Sequence, residues 1–239
     1  MRDMLMKIIK LLLLATFLFS GGINYKAIGE KIYQNECASN PKYLVHWNKG
    51  ENFPSLGIGH FIWYPEGVKE RFEESFPSFI AYYERYHDRI PDWLKGAAPW
   101  KNKAAMLADK RIEKLRNFLE QSKSIQAAFM ADRLQKVAYH DSHVKAMFAR
   151  VAHDEEGYYL LIDYRNFKGT GLNPKERYHD KGWGLKQVLS CMQGVGDVRV
   201  EFAACAKKVL VMRIKNSPKE RGEARWLQGW MHRIDTYTQ

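Results

Sequence analysis

The segment "FPSLGIGHFIWYP", residues 53–65, decides how the fold is to be interpreted. Two glycines, a serine and a histidine lie among bulky aromatic residues in a stretch whose pattern predicts a β-strand. Glycine inside a strand costs stability, and it often marks a bulge or the close approach of a ligand or another backbone. Gly57 and Gly59 therefore predict either a bulge in a hairpin or a wall against which a substrate lies.

The flanking sequence predicts a small early β-element in a mainly helical α+β chain. Residues 23–37 carry apolar side chains at helical spacing, with Asn24 as the N-cap, and residues 45–64 indicate two strands around a polar turn. Residues 89–100, rich in Pro and Gly, indicate a connection that holds a short helical turn. No strand is expected from residue 101 onward. The further predicted helices are 66–88, 104–143, 144–167, a helix opening at "GWGLKQVLSCM", 198–215 and 224–237.

The N-terminus has the layout of a secretory signal peptide over residues 1–22. A basic start precedes an apolar run at residues 11–19 and then the small residues Ser-Gly-Gly. The apolar run is shorter than the roughly 20 residues that span a bilayer. We therefore expect export of residues 23–239 as one domain, with a β-containing lobe at about 40–66 and a helical lobe at about 100–239.

The charge of the chain predicts an anionic partner. Lys and Arg number 38 against 27 Asp and Glu, which gives a formal net charge of +11. Such an excess favours nucleic acid, an acidic membrane surface or a cell-wall polymer, and export favours the envelope. The basic residues are scattered and often adjoin acids, as in "ADKRIEKLR", whereas a nucleic-acid binder would need a continuous basic stripe with exposed aromatics. We therefore expect no nucleic-acid partner.

Neither a metal nor a cofactor is expected. His140 and His143 share a helical face, but no further residues complete a ligand set, and the chain has no phosphate-binding glycine loop. Of the cysteines Cys37, Cys191 and Cys205, two can pair after export, and the sequence leaves the pairing open.

Glu36 is the leading candidate for a catalytic acid. It ends the first predicted helix, in "KIYQNEC", where the partial negative charge of a helix C-terminus disfavours an ionised carboxylate and raises its pKa. A carboxyl group that stays protonated near neutral pH is what glycosidic cleavage needs to protonate the leaving oxygen.

A helix-ending glutamate followed by Ser55-Leu56-Gly57-Ile58-Gly59-His60 resembles the phage-type lysozymes, in which a catalytic Glu precedes a hairpin with Thr-x-Gly-x-Gly-His. "GWGLKQ", residues 182–187, is similar to the Gly-Leu-x-Gln segment of lytic transglycosylases in the same superfamily. The exported chain also resembles a group of secreted bacterial proteins that share "NEC…WNKGENFPSLGIGHFIWYP". The resemblance implies a lysozyme-like fold and cleavage of peptidoglycan between aminosugars.

The resemblance also implies residue roles. Glu36 becomes the general acid, Ser55 takes the place of the threonine that positions water, and His60 supports the hairpin. The family's aspartate falls on Lys49, so Glu51, on the turn of the same hairpin, is the substitute carboxylate. Carboxyls about 6.5–9.5 Å apart suit inversion, and about 5–5.5 Å suits retention. Without Glu51, one Glu acts as acid and then base, as in lytic transglycosylases.

Further residues are candidates for binding the glycan. Trp47 and Tyr64 can stack on sugar rings, although a core role is more common for such residues. Asn166, before the loop "KGTG", can hydrogen-bond an N-acetyl group, unless this segment is an ordinary helix C-cap. Gln187 either lines the cleft or belongs to a plain helix start.

The sequence thus predicts a secreted or periplasmic peptidoglycan-cleaving enzyme, monomeric and compatible with peripheral envelope contact. Two alternatives remain at this point: a lysozyme-fold protein that binds glycan or an envelope partner without cutting it, and a basic secreted nucleic-acid binder.

Overall fold

The computed structural model describes residues 22–70, 72–87, 90–137 and 139–239. The protein is mainly helical, with 59% helix, 6% strand and a small antiparallel sheet. The predicted signal peptide lies, apart from Gly22, outside the described residues. The chain divides into two compact units, which meet in sequence at residues 130 and 131. Residues 100–130, expected in a helical lobe, therefore belong to the first unit.

The first unit begins with helix α1, Tyr25–Cys37. Asn24 Oδ1 accepts the Ala27 N–H at 3.1 Å, which confirms the predicted N-cap. The helix ends because Ala38 adopts a left-handed conformation, with φ of 47°, and its N–H donates to the Tyr33 carbonyl. The face that carries Ile28 and Ile32 is buried. Glu36 therefore occupies the last turn of a well-defined helix.

The β-element of the first unit has three short strands where two were expected: β1 (Val45–His46), β2 (Ser55–Leu56) and β3 (Phe61–Ile62). They form an antiparallel sheet in the order β1-β2-β3, in which Ser55 of the central strand faces both His46 and Ile62. The expectation that a strand contains both glycines is wrong. Gly57 (φ 70°) and His60 (φ 48°) have left-handed backbones that a strand cannot contain, so residues 57–60 form the β2–β3 turn.

The remaining helices of the first unit are α2 (Phe76–Tyr83), α3 (Lys103–Ala108), α4 (Arg111–Gln121) and α5 (Lys123–Gln135), of which α5 continues past residue 130. A short 3₁₀ helix, Asp92–Leu94, lies in the expected connection. The rings of Phe61, Phe79 and Phe129 pack together with centroids 5.0–5.8 Å apart. This aromatic cluster places β3 against α2 and α5.

Helix α2 is much shorter than the predicted helix over 66–88. Ser75 Oγ accepts the Ile62 N–H at 3.1 Å, and Glu74 Oε1 accepts the Tyr64 N–H at 2.7 Å. These polar side chains bind the backbone beside β3, and such bonds compete with helix formation. Pro77 then suits the first turn of α2.

The second unit contains the helices α6 (Ser142–Val151), α7 (Glu155–Lys168), α8 (Leu185–Cys191), α9 (Val198–Asn216) and α10 (Leu227–Asp235). The single helix expected over 144–167 is two helices, because Asp154 caps α7 by accepting the Gly157 N–H at 2.7 Å. The helix expected to open at residue 182, in "GWGLKQVLSCM", begins three residues later, at Leu185, and the predicted 198–215 helix is confirmed to within one residue.

The second unit also contains a hairpin that the sequence did not predict, with strands β4 (Arg177–Tyr178) and β5 (Lys181–Gly182). Its two turn residues, His179 and Asp180, have φ of 44° and 59°. Two-residue turns of this kind are normally signalled by Asn-Gly or Asp-Gly. His-Asp does not carry that signal, so the hairpin was missed.

Cys191 and Cys205 form a disulfide that joins α8 to α9, which settles the pairing that the sequence left open. Cys37 is a free, buried thiol.

Candidate functional site

The candidate site is the contact between Glu36 and His60 in the first unit. Glu36 Oε2 lies 3.0 Å from His60 Nε2. The Glu36 side chain is 11% exposed and that of His60 is 44% exposed, so solvent reaches the pair mainly at the imidazole. Helix α1 supplies the carboxyl group, and the positive φ of His60 turns the imidazole out of the sheet. Glu36 therefore contacts the segment that contains Gly57 and Gly59, and the contact is made by His60.

Gln126, on α5, holds the β2–β3 turn in place. This fully buried side chain accepts the Ile58 N–H at Oε1, at 2.9 Å. Its Nε2 donates to the Leu119 carbonyl at 2.6 Å and to Ser122 Oγ at 3.0 Å. Each polar atom of the amide is thus bonded, as burial requires. Sequence reasoning missed Gln126, and a lone glutamine within the apolar stretch "QAAFM" was the available signal.

The two glycines make room for side chains of the protein itself. A Cβ atom on Gly57 would lie 2.2 Å from Gln126 Oε1, and one on Gly59 would lie 2.3 Å from the Phe61 ring. The space beside each glycine is already filled by a protein atom. The expectation that these glycines let a sugar lie against the backbone is therefore not supported at either Cβ position.

Glu51, the expected second carboxyl, lies in the connection between β1 and β2. Its Oε2 accepts a hydrogen bond from Asn48 Nδ2 at 2.9 Å, and its carbonyl accepts one from Trp47 Nε1 at 2.8 Å. These contacts order the connection. The role of Glu51 opposite Glu36 stays a prediction.

The aromatic residues expected to stack on sugars are core residues. Trp47 is 3% exposed and Tyr64 is 7% exposed. The Tyr64 hydroxyl donates to the Phe72 carbonyl at 2.9 Å, and its ring packs edge-on against Phe53. A ring that is buried in this way offers no face to a ligand, so stacking is corrected to core packing for both. Ser55, expected to position water, is also buried, in the central strand.

Asn166 and Gln187, two more of the expected glycan-binding residues, belong to the second unit. Asn166 is half-buried in the last turn of α7. Gln187 Oε1 accepts the Gly184 N–H at 3.0 Å, and its Nε2 donates to the Gly171 carbonyl at 3.3 Å. Gln187 therefore ties the start of α8 to the glycine loop at residues 169–171.

Glu176, which the sequence analysis did not single out, closes the same glycine loop. Its Oε2 accepts the Gly171 N–H at 2.7 Å. Burial raises the pKa of this carboxyl above its ordinary value, against the opposing effect of the Gly171 hydrogen bond. An acid four residues after "GTGL" was the only sequence signal.

Cys37, which follows the candidate acid in the chain, is not a candidate nucleophile. Burial, with a further contribution from the charge of Glu36, raises the pKa of the Cys37 thiol to about 12. A thiol with that pKa is protonated at neutral pH and is not a nucleophile. A carboxyl and an imidazole in hydrogen-bond contact can share one proton, so the Glu36–His60 pair is the candidate for proton transfer.

The described residues contain neither a candidate metal cluster nor a helix that could span a membrane. Within them, no group of three or more His, Cys, Asp or Glu side chains could hold a metal ion. His143, one of the two histidines considered above, contacts the Met192 carbonyl through Nε2 at 2.8 Å. None of the helices in the described part of the chain has the length and apolar character needed to cross a bilayer.

Comparisons with protein-family models, with curated proteins and with solved structures found no match to this chain.

Proposed function

We propose that this protein is a secreted, lysozyme-like enzyme that cleaves peptidoglycan glycan strands, with Glu36 as the general acid. The observation that carries the proposal is the 3.0 Å contact between Glu36 and His60. A largely buried carboxyl at the end of a helix meets a histidine on the turn of a small antiparallel sheet. The arrangement agrees with the helix-acid-then-sheet order on which the resemblance to phage-type lysozymes rests.

The chemistry assigned to Glu36 is proton donation to the glycosidic oxygen. As the bond between C1 and that oxygen breaks, the proton moves from the carboxyl to the leaving sugar. His60, which lies 3.0 Å from Glu36, is assigned the return of a proton to it after each turnover. In hydrolysis, a water molecule attacks C1, with Glu51 as the proposed base. In the transglycosylase route, a hydroxyl of the sugar itself attacks, and Glu36 accepts its proton.

The proposed substrate also fits the charge of the protein. The net charge of +11 favours an anionic polymer, and peptidoglycan and its attached polymers carry carboxylate or phosphate groups. Export through the predicted signal peptide would bring the enzyme to this substrate, in the periplasm or outside the cell.

Incubation of the purified protein with peptidoglycan tests the proposal, with mass analysis of the released ends. We expect activity in the unaltered protein and its loss in Glu36→Gln, which keeps the shape of the side chain. Glu30→Gln is the matched control because Glu30 lies on the same helix, is 51% exposed and is paired with Lys123. Release of anhydro ends would identify the transglycosylase route, and release of reducing ends would identify hydrolysis. Equal activity of Glu36→Gln and the unaltered protein would remove Glu36 from the mechanism.

One observation favours a second candidate, a protein that binds glycan without cutting it. The contact with His60 leaves Glu36 stabilised as a carboxylate whenever the imidazole is protonated, and a carboxylate cannot donate a proton. A sedimentation assay with insoluble peptidoglycan distinguishes the cleaving enzyme from the binding protein. Binding without release of any ends, unchanged in Glu36→Gln, identifies the binding protein.

A further inference from the structure

The second unit contains a cavity of about 240 Å³ beside the β4–β5 hairpin and helix α9. This volume lies just below the range of about 300–1,000 Å³ that is typical of small-molecule sites. The cavity is thus large enough for a compact ligand. Its lining residues are Asp180, Lys181, Gly182, Gln187, Cys191, Lys208, Val209 and Met212.

One part of the cavity wall is apolar and fixed in place. Val209 and Met212 come from successive turns of α9, and Cys191 ends α8. The disulfide from Cys191 to Cys205 joins these two helices covalently. An apolar ligand group that enters the cavity would therefore meet a preformed surface, which reduces the ordering cost of binding.

The polar part of the wall is basic. Lys181, on β5, and Lys208, on α9, are exposed, and neither takes part in an ion pair within the described residues. The neighbouring Lys207 is paired with Asp235 at 2.5 Å, and Arg213 with Glu223 at 2.8 Å. The two lysines of the cavity thus keep a charge that comparable residues nearby have neutralised.

Asp180 is the one acid among the lining residues, so the lysines exceed it by one charge. The surroundings add to this positive potential, because residues 131–239 contain 19 Lys and Arg against 13 Asp and Glu, a net charge of +6. A concave site with one sign of excess charge attracts ligands of the opposite sign.

The hairpin holds Asp180 and Lys181 at the cavity by means of an unusual turn. His179 and Asp180 both have positive φ, although neither is glycine. A type I′ two-residue hairpin turn requires positive φ at both central residues, so the hairpin geometry accounts for these values and fixes Asp180 and Lys181 beside the cavity.

We propose that this cavity binds a compact amphipathic anion, with its apolar body against Val209 and Met212 and its anionic group beside Lys181 and Lys208. The inference is independent of the proposed cleavage chemistry, because every residue that carries it lies in the second unit and none is assigned to proton transfer.

Calorimetric titration of the purified protein with phenylacetate tests the proposal, with 2-phenylethanol as an uncharged probe of similar shape. We expect phenylacetate to bind roughly five- to tenfold more tightly than 2-phenylethanol, and the preference to shrink as salt rises from 50 to 500 mM. Lys181→Gln/Lys208→Gln removes the preference. Lys215→Gln, an exposed change on the same helix, leaves it intact.

A second variant tests the apolar wall. Met212 is 37% exposed, so Met212→Trp can be accommodated at the surface and fills the mouth of the cavity. We expect it to abolish binding of both probes. Bound phenylacetate should also slow reduction of the Cys191–Cys205 disulfide by dithiothreitol, because Cys191 forms part of the wall. Absence of binding, equal affinity for both probes, or an unchanged preference in the double lysine variant would overturn the proposal.

Discussion

Asp163 in the second unit and Glu36 in the first unit differ in how far their hydrogen-bond partners are exposed to solvent. In the second unit, Asp163 is fully buried and accepts two hydrogen bonds from Arg233, at 2.7 and 3.0 Å, and one from the Tyr237 hydroxyl. Arg233 itself is only 13% exposed. In the first unit, Glu36 meets His60, which is 44% exposed.

The difference indicates which acids serve the fold and which is open to chemistry. A buried acid whose partners are also buried cannot change its protonation without loss of structure. An acid whose partner faces solvent can exchange a proton at little cost, because water replaces the lost contact. On this criterion Asp163 belongs to the structure of the second unit, and Glu36 is the carboxyl to which the proposed proton transfer is assigned.

The largest effect is expected from Arg233→Met. The substitution leaves the Asp163 carboxyl buried beside Tyr237 and without its cation, which costs about 3–5 kcal/mol of unfolding free energy. Urea denaturation followed by tryptophan fluorescence measures the loss. Arg225→Met is the control, because Arg225 is exposed and stacks only on the Trp226 ring among its described contacts. A loss below about 1 kcal/mol in Arg233→Met would show that the buried pair contributes little.

A smaller effect is expected on acidification. Burial alone raises the pKa of the Glu223 carboxyl, but hydrogen bonds from Arg213, Tyr178 and Arg221 outweigh it and bring the pKa down to about 2. Because the folded pKa lies below the unfolded value of about 4.3, the stabilisation is present above pH 4.3 and is lost as the pH falls toward 2.

Glu223→Gln therefore lowers the unfolding free energy by about 1.5–3 kcal/mol at pH 6, and the difference from the unaltered protein shrinks toward pH 2. Urea titrations at a series of pH values follow this convergence. Glu220→Gln changes an exposed residue three positions away. Its unfolding free energy should depend on pH in the same way as that of the unaltered protein. Curves for Glu223→Gln that stay equally separated at all pH values would contradict the assignment.

Within the first unit, Gln126→Leu should cost about 1–3 kcal/mol of unfolding free energy. Leucine is close to glutamine in size, but it leaves the Ile58 N–H without its hydrogen-bond partner and the Leu119 carbonyl with only the longer bond from Ser122 Oγ, at 3.3 Å. Chemical denaturation measures the loss, with Gln121→Leu, at an exposed position at the end of α4, as the control.

Gly57→Ala sharpens this prediction. The new methyl group would strike Gln126 Oε1, and alanine disfavours a φ of 70° by about 1–2 kcal/mol. Removal of the amide in Gly57→Ala/Gln126→Ala relieves the collision but not the backbone strain. The double variant should therefore lose less stability than the sum of Gly57→Ala and Gln126→Ala. Additive losses would mean that the two side chains do not meet.

The smallest effect is expected from His60→Ala, at less than about 1 kcal/mol of unfolding free energy, since the His60 side chain faces solvent. His46→Ala, at an exposed position in β1, is the control. Activity on peptidoglycan should fall in His60→Ala although stability hardly changes. A loss of several kcal/mol would instead place the Glu36–His60 contact among the structural pairs.

The elements that the sequence predicted well are those with local signals. Asn24 caps α1 through the backbone three residues on, and the helical spacing of residues 198–215 corresponds to α9 within one residue. The mainly helical character with a small early sheet followed from the same local patterns.

The elements that the sequence did not predict depend on distant contacts. Gly57 was interpreted as part of a strand because its neighbours are apolar, whereas its conformation is set by a turn bonded to Gln126, 68 positions after Ile58. Trp47 and Tyr64 are aromatic residues of the kind that stack on sugars. Both are buried, because other parts of the first unit pack over them. No local pattern distinguishes these cases.

Gln126 Oε1 fills the space that a Cβ on residue 57 would need, and this has a consequence for anyone who redesigns the protein. The two positions behave as one site with a shared volume, although they are far apart in the chain. A mutagenesis library that randomises residue 57 alone would sample almost only failures, whereas one that varies it jointly with residue 126 would give access to alternative loop shapes around the candidate acid.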